Sequence, residues 1–194
     1  DPLMSILAMR RFTLATATAA ALLVAAPSFA ANYQQAAGSS LTFASKYEGE
    51  VFTGRFPGFV TSFSFDPAQL ATAKLDVTIP LASATTANTD RDDALKGSDF
   101  FASGKFPQAR YTATRFRSLG GNQYAADGAL SLRGVSKPVT LTFTWTPGAQ
   151  PVLNGKATVK RLDFGVGTGD WPDTALIPNE VAISTKVVFP PGPE

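Results

Sequence analysis

The chain has 194 residues, a formal net charge of +2, fifteen phenylalanines, and neither cysteine nor histidine. Without Cys there is no disulfide, thiolate nucleophile or Cys-ligated metal; without His, the usual imidazole base and ligand are missing, which excludes Ser-His-Asp and Cys-His chemistry. Seventeen basic residues stand against fifteen acidic ones with no basic block, so a nucleic-acid partner, which needs a clustered basic face, is not expected.

The first thirty residues read as an export signal. Met9, Arg10 and Arg11 form a positive start, residues 12–24 are uncharged and rich in Ala and Leu, and Pro27 precedes small residues at Ser28 and Ala30. That three-part layout predicts cleavage after Ala30 and a periplasmic protein, and the apolar run is too short to span a bilayer. A twin-arginine signal fits only at Arg10, Arg11 and Phe12. Residues 1–8 are read as an over-extended frame or cloning remnant. Residues 31–189 then form one domain of ordinary size, and 190–194, rich in Pro, form a loose tail.

From Ser40 onward the pattern is strand-like. Strands are expected over 41–47, 61–65, 74–79, 109–117, 124–133, 139–146, 152–160 and 181–187, about eight in all. The clearest is 139–146, where Val139, Leu141, Phe143 and Trp145 alternate with four threonines, the pattern of a strand with one buried and one wet face. Turn residues punctuate the pattern at Phe56-Pro57-Gly58, Gly120-Gly121-Asn122, Arg133-Gly134 and Asn154-Gly155. Regular short strands predict a sandwich or barrel. One stretch breaks the rhythm. Thr89 to Gly97 reads as a short helix with Thr89 as N-cap, Asp90, Asp92 and Asp93 in its first turn, Lys96 in its last and Gly97 as its stop.

Four segments together resemble the YceI-like family of bacterial periplasmic proteins, also called polyisoprenoid-binding. The first is Gly54-Arg55-Phe56, with Phe59 and Phe63-Ser64-Phe65-Asp66. The second is Thr89-Asp90-Arg91-Asp92, with Leu95, Asp99-Phe100-Phe101 and Phe106-Pro107. The third runs from Gly128 through Arg133-Gly134 to Val139. The fourth is Lys160-Arg161-Leu162-Asp163-Phe164-Gly165-Val166-Gly167, with Asn179-Glu180-Val181. The resemblance covers roughly 39–189. It implies an all-β fold, an extended eight-stranded antiparallel lipocalin-like β-barrel with a helical excursion near 88–107, and an elongated apolar pocket for a long isoprenoid. The segment Trp171-Pro172-Asp173 matches one branch of the family better than others.

An eight-stranded barrel either fills its interior with side chains or holds one small ligand. For the second state the expected pocket residues are Phe43, Phe63, Phe65, Leu75, Val77, Phe100, Phe101, Phe106, Tyr111, Leu141, Phe143, Trp145, Phe164 and Trp171. Arg91, Asp92 and Arg161 are candidates for a ligand head group. Each has a plainer reading: Arg91 and Asp92 fix the helix start onto the barrel, and Arg161 pairs with Asp163 or caps a strand end. Asp90, Asp92 and Asp93 lack calcium-loop spacing, since Leu95 stands where an EF-hand needs Gly. Glu48 and Glu50 are expected in solvent rather than as a catalytic pair. Gly165, Gly167 and Gly169 lack the Lys-Ser/Thr end of a phosphate loop, and Gly134-Val135-Ser136 lacks the second Gly of a nucleophile elbow.

The expected function is non-catalytic binding or carriage of a polyprenyl lipid or quinone, with no cofactor beyond that lipid. The alternatives are an accessory that presents quinone to a membrane b-type cytochrome, as some relatives suggest, an enzyme acting on the lipid, and a structural domain with a filled core. Apolar residues such as Val60 and Val188 raise a homodimer as a further expectation.

Overall fold

The computed structural model describes residues 31–191. The predicted export signal and residues 192–194 of the predicted tail lie outside them. The strands are β1 (Ala31–Gln34), β2 (Ser40–Tyr47), β3 (Glu50–Arg55), β4 (Val60–Phe65), β5 (Lys74–Pro80), β6 (Gln108–Gly120), β7 (Gln123–Leu132), β8 (Val135–Thr146), β9 (Val152–Lys160) and β10 (Glu180–Val188). One α-helix, α1 (Thr89–Lys96), lies between β5 and β6.

All ten strands form one antiparallel sheet in the order β1-β4-β5-β6-β7-β8-β9-β10-β2-β3. The eight expected strands are present within a few residues of their predicted ends. Two were not foreseen. β1 has only four residues, and three of them are exposed, so it offers no alternation to read. β3 contains Gly54 and exposes Val51, and neither feature marks a strand. The Asn154-Gly155 turn is a correction: both residues lie inside β9, opposite Lys186 and Thr185 of β10. The glycine is there for space, since a Cβ would press within 2.9 Å of a Leu141 methyl.

The sheet curls so that its two edges approach, giving a lipocalin-like half-barrel. The chain leaving β1 bridges the gap at one end: Gln35 N–H donates to the Thr61 carbonyl (3.2 Å) and Ala36 N–H to that of Val188 (2.8 Å). On the other edge, Arg55 of β3 exchanges two backbone bonds with Thr85 (2.9 and 3.0 Å), which covers part of an edge that would otherwise be open to pairing. Thr85 is in turn held by α1. The Asp92 carboxylate accepts from Thr86 N–H (2.7 Å), Thr86 Oγ1 (2.7 Å) and Thr85 Oγ1 (3.3 Å). Burial raises the Asp92 pKa, and the bonds from Thr86 and Thr85 outweigh it, so the net direction is down. The helix N-cap is Asn88 rather than Thr89; its side chain accepts from Arg91 N–H at 3.0 Å. The first turn carries Asp90 and Asp92, without Asp93.

The interior divides along the strands. On β10, Val187 is 1% exposed, whereas Ile183 and Val181 on the same face are only half-buried. On β5, Leu75 is 1% exposed and Val77 and Ile79 are half-buried. Inward-facing residues that keep exposed surface mark a space the side chains do not fill. One end of the barrel is solid and the other is hollow.

Candidate functional site: an apolar cavity behind the helical excursion

The solid end is a cluster of rings. Phe63 lies within 6.1 Å, centroid to centroid, of Phe65, Phe116, Phe143, Trp145 and Phe189. Tyr124 joins through Phe65 (5.2 Å) and Phe143 (5.6 Å), and Tyr33 of β1 through Trp145 and Phe189 (both 5.3 Å). Tilted and edge-on contacts dominate, the geometry aromatic quadrupoles favour.

The hollow end holds a cavity of about 200 Å³. Its wall is made by alternate residues of successive strands: Leu41, Phe43 and Ser45 of β2, Val77 and Ile79 of β5, Leu130 and Leu132 of β7, Val139 and Leu141 of β8, and Val181, Ile183 and Thr185 of β10. Leu95 of α1, with Phe100 and Phe101 just beyond it, contributes from the helical excursion. Phe43 reaches the wall by lying flat across the strand pair. It faces Gly54 in register, and any Cβ there would overlap its ring. Phe56 then packs at a tilt on Phe43 (5.3 Å) and Phe101 on Phe56 (5.9 Å).

Six of the predicted pocket residues line this cavity: Phe43, Val77, Phe100, Phe101, Tyr111 and Leu141. The others are elsewhere. Phe63, Phe65, Leu75, Phe143 and Trp145 belong to the solid end. Phe164 is buried in a 3-10 turn, Arg161–Phe164. Phe106 packs on the β7–β8 turn, 3.1 Å from where a Gly134 Cβ would stand. Trp171 stands behind Phe100 (5.8 Å) and beside the exposed Tyr47 (6.2 Å). Alternation identifies the inward face, but position along the strand decides between solid and hollow ends, and alternation carries no information about that. Phe52, Phe56, Leu95, Val181 and Ile183 also line the wall and were not predicted to. Leu95 is readable as the one large apolar residue of α1 and so its inward face.

The three charged candidates have different surroundings. Arg91 lies 4.2 Å over the Phe52 ring, a cation–π contact, and is not part of the cavity wall. Asp92 is occupied by Thr85 and Thr86, as described above. Arg161 does line the wall and is only 3% exposed. It makes no ion pair with Asp163; the ion pairs Arg110–Asp76 and Arg117–Asp127 lie at the surface, away from it. Instead all five N–H groups of Arg161 go to backbone carbonyls: Nε to Pro178 (3.1 Å), Nη1 to Val166 (3.0 Å) and Gly167 (3.2 Å), Nη2 to Trp171 (2.9 Å) and Ile177 (2.7 Å). Burial pushes its pKa down, and a guanidinium stays charged regardless. Arg161 therefore fastens the loop after the 3-10 turn against the barrel. Arg133 does the same from β7's end, donating to Phe100 O (2.8 Å) and Gly165 O (2.6 Å). Asp99 O accepts from the N–H groups of Gly167 (2.7 Å) and Thr168 (2.9 Å). The helical excursion and the 165–178 loop are thus laced into one wall.

Tyr111 also reaches the cavity. Its hydroxyl shares a proton between the carbonyls of Ala126 (3.1 Å) and Val139 (2.8 Å), and burial pushes its pKa up to about 12. Among the described residues, no group of three or more carboxylates stands close enough to hold a metal ion.

A family profile described as "YceI-like domain" matches residues 33–189. The chain is 35% identical over 186 residues to a UPF0312 protein of Shewanella denitrificans, spanning 90% of this chain and 97% of that one. It is 30% identical over 182 residues to a UPF0312 protein of Vibrio vulnificus, at 87% and 96% coverage. Among solved structures it is similar to Burkholderia cenocepacia BcnA, with a TM-score of 0.74 and 32% identity over 77% of this chain and 95% of that one. It shares its fold with a polyisoprenoid binding domain from Saccharophagus degradans, with a TM-score of 0.62 and 17% identity over 84% and 99% of the two chains.

Proposed function

We propose, from the premise that this chain belongs to the YceI-like family, that it is an exported lipid-binding protein. On this reading it holds the apolar chain of an isoprenoid-type molecule in the hollow end of the barrel. The observation that carries the proposal is the half-buried state of Val77, Ile79, Val181 and Ile183, apolar residues that face inward onto unfilled space. Natural cores fill such space to crystal-like density unless something else occupies it. The Saccharophagus neighbour, a polyisoprenoid binding domain, agrees with this reading, and the export signal read from residues 9–30 supports a periplasmic site of action.

The energetics favour a chain of several units. Burying one five-carbon unit is worth roughly 3–4 kcal/mol at about 0.8 per carbon group. Association costs about 4–15 kcal/mol, so two or three units bring binding into a useful range and one does not. At about 200 Å³ the cavity is below the ~300–1,000 Å³ usual for ligand pockets. It takes a short length of chain as it stands, and the solid aromatic end sets its floor. The chain is held by burial, and the wall's part is to exclude water and fix the ligand's depth.

A cavity-filling substitution tests this. Ala157→Phe puts a ring into the space from β9 without disturbing the solid end. The protein should fold as the wild type does and lose uptake of isoprenoid chains. Uptake equal to the wild type's would place lipid somewhere else and overturn the reading.

A further inference from the structure

Four polar side chains reach the cavity wall: Ser45, Tyr111, Arg161 and Thr185. Three of them have no donor to give. Tyr111 has its one proton on two carbonyls. Arg161 has five N–H groups on five carbonyls. Thr185 Oγ1 donates to Ser40 O at 3.0 Å. Ser45 differs: its Oγ is buried with no hydrogen-bond partner. A buried hydroxyl without a partner is destabilising, so its place on a wall whose other polar groups are all satisfied calls for an explanation. Thr61 Oγ1 is likewise unpartnered, but Thr61 is packed and does not line the cavity.

Charge decides the rest. Arg161 is the one cation on the wall, and it is saturated by the loop it holds. A phosphate or diphosphate drawn inside would lose its water and find neither counter-charge nor free N–H, a penalty far larger than burial of a few carbons returns. A neutral oxygen carries no such penalty and needs only one donor.

We propose that Ser45 is the specificity-determining residue of the cavity. Its hydroxyl, turned into the wall when the cavity is empty, rotates about χ1 to donate to a single uncharged oxygen, of the alcohol or carbonyl type, at the end of the bound isoprenoid chain, and phosphorylated ends are kept out. This deepens the lipid-binding reading and rests on it. Ser45 lies on β2 opposite Phe52, whose ring carries Arg91. The recognised oxygen therefore sits at the loop end of the cavity, with the chain pointing toward the solid end.

The test uses three fifteen-carbon probes, farnesol, farnesyl phosphate and the hydrocarbon farnesane, titrated by calorimetry into the wild type, Ser45→Ala and Ser45→Thr. The wild type should bind farnesol more tightly than either other probe. Ser45→Ala should weaken farnesol about tenfold, the worth of one neutral hydrogen bond, and leave farnesane unchanged. Ser45→Thr, which keeps the hydroxyl, should restore farnesol binding. Ser45→Ala should also unfold no more easily than the wild type when empty, because it removes an unpartnered hydroxyl; a purely structural serine would show the opposite. Equal farnesol binding by wild type and Ser45→Ala, or a wild-type preference for farnesyl phosphate, would overturn the assignment of Ser45 while farnesane binding keeps the lipid reading intact. Failure of the wild type to bind any of the three would overturn both.

Discussion

Arg161 Nη1 donates to the carbonyl of Gly167 at 3.2 Å, and a Cβ on Gly167 would overlap that same nitrogen. The two residues fit only because one has no side chain. Gly167 also sits at φ +83°, a conformation L-residues rarely adopt. Gly167→Ala should therefore be strongly destabilising, by about 2 kcal/mol or more from strain and displacement of the guanidinium combined. Arg161→Lys, with three donors and no planar fork, should cost about as much. Both should also loosen the Phe100–Trp171 contact. Urea unfolding followed by tryptophan fluorescence measures the loss.

The solid and hollow ends should separate under mutation. Phe63→Ala removes the ring at the centre of the aromatic cluster and should cost about 3–5 kcal/mol. Leu95→Ala, at the cavity wall, should cost less, because the site it opens is already partly empty, yet it should change ligand affinity. Comparing unfolding midpoints and lipid titrations for the two variants checks this division.

Thr61 offers a stabilising change. It is 1% exposed and its hydroxyl has no partner. Thr61→Val keeps the branched shape and removes the unpartnered oxygen, so it should raise stability by about 1 kcal/mol. A lower midpoint in urea would show that the hydroxyl has a role the packing does not reveal.

Tyr111 sets an alkaline limit. Its folded pKa of about 12 lies above the ordinary tyrosine value of 10.0, so folding favours the neutral phenol. The corresponding stability is fully present below pH 10 and is lost as pH rises toward 12. At 1.36 kcal/mol per unit the contribution is about 2–3 kcal/mol. Tyr111→Phe should be less stable than the wild type at pH 8 through loss of the two carbonyl contacts. The gap should narrow above pH 10, where only the wild type must keep a phenol from ionising. A gap that stays constant to pH 11 would contradict the burial of this hydroxyl.

Much of the architecture is legible in the residues. Alternation in 139–146 and 74–79 gives strands and their inward faces, and the helix-stopping Gly97 and the Arg133-Gly134 turn are where the pattern puts them. The cavity was legible only in part. Phe63 and Phe43 are indistinguishable in sequence, each being an inward ring on a short strand. They part because five rings converge on Phe63, whereas Phe43 lies over Gly54 beside empty space. Arg161 looked like a head-group contact or half of an ion pair. Its five carbonyl partners are 5 to 17 residues away in sequence, at Val166, Gly167, Trp171, Ile177 and Pro178, and backbone partners leave no mark in side-chain identity. Ser45 was missed because an inward serine at a strand end reads as polar surface.

The central claim is that the hollow end carries a lipid. The direct measurement is mass spectrometry of the native protein isolated without detergent from its own kind of cell, followed by solvent extraction and mass identification of what it releases. The account predicts a stoichiometric neutral molecule with an isoprenoid mass pattern, absent from the Ala157→Phe variant prepared in parallel. A protein that emerges bare, and that also refuses added quinones and polyprenyl alcohols, would contradict it.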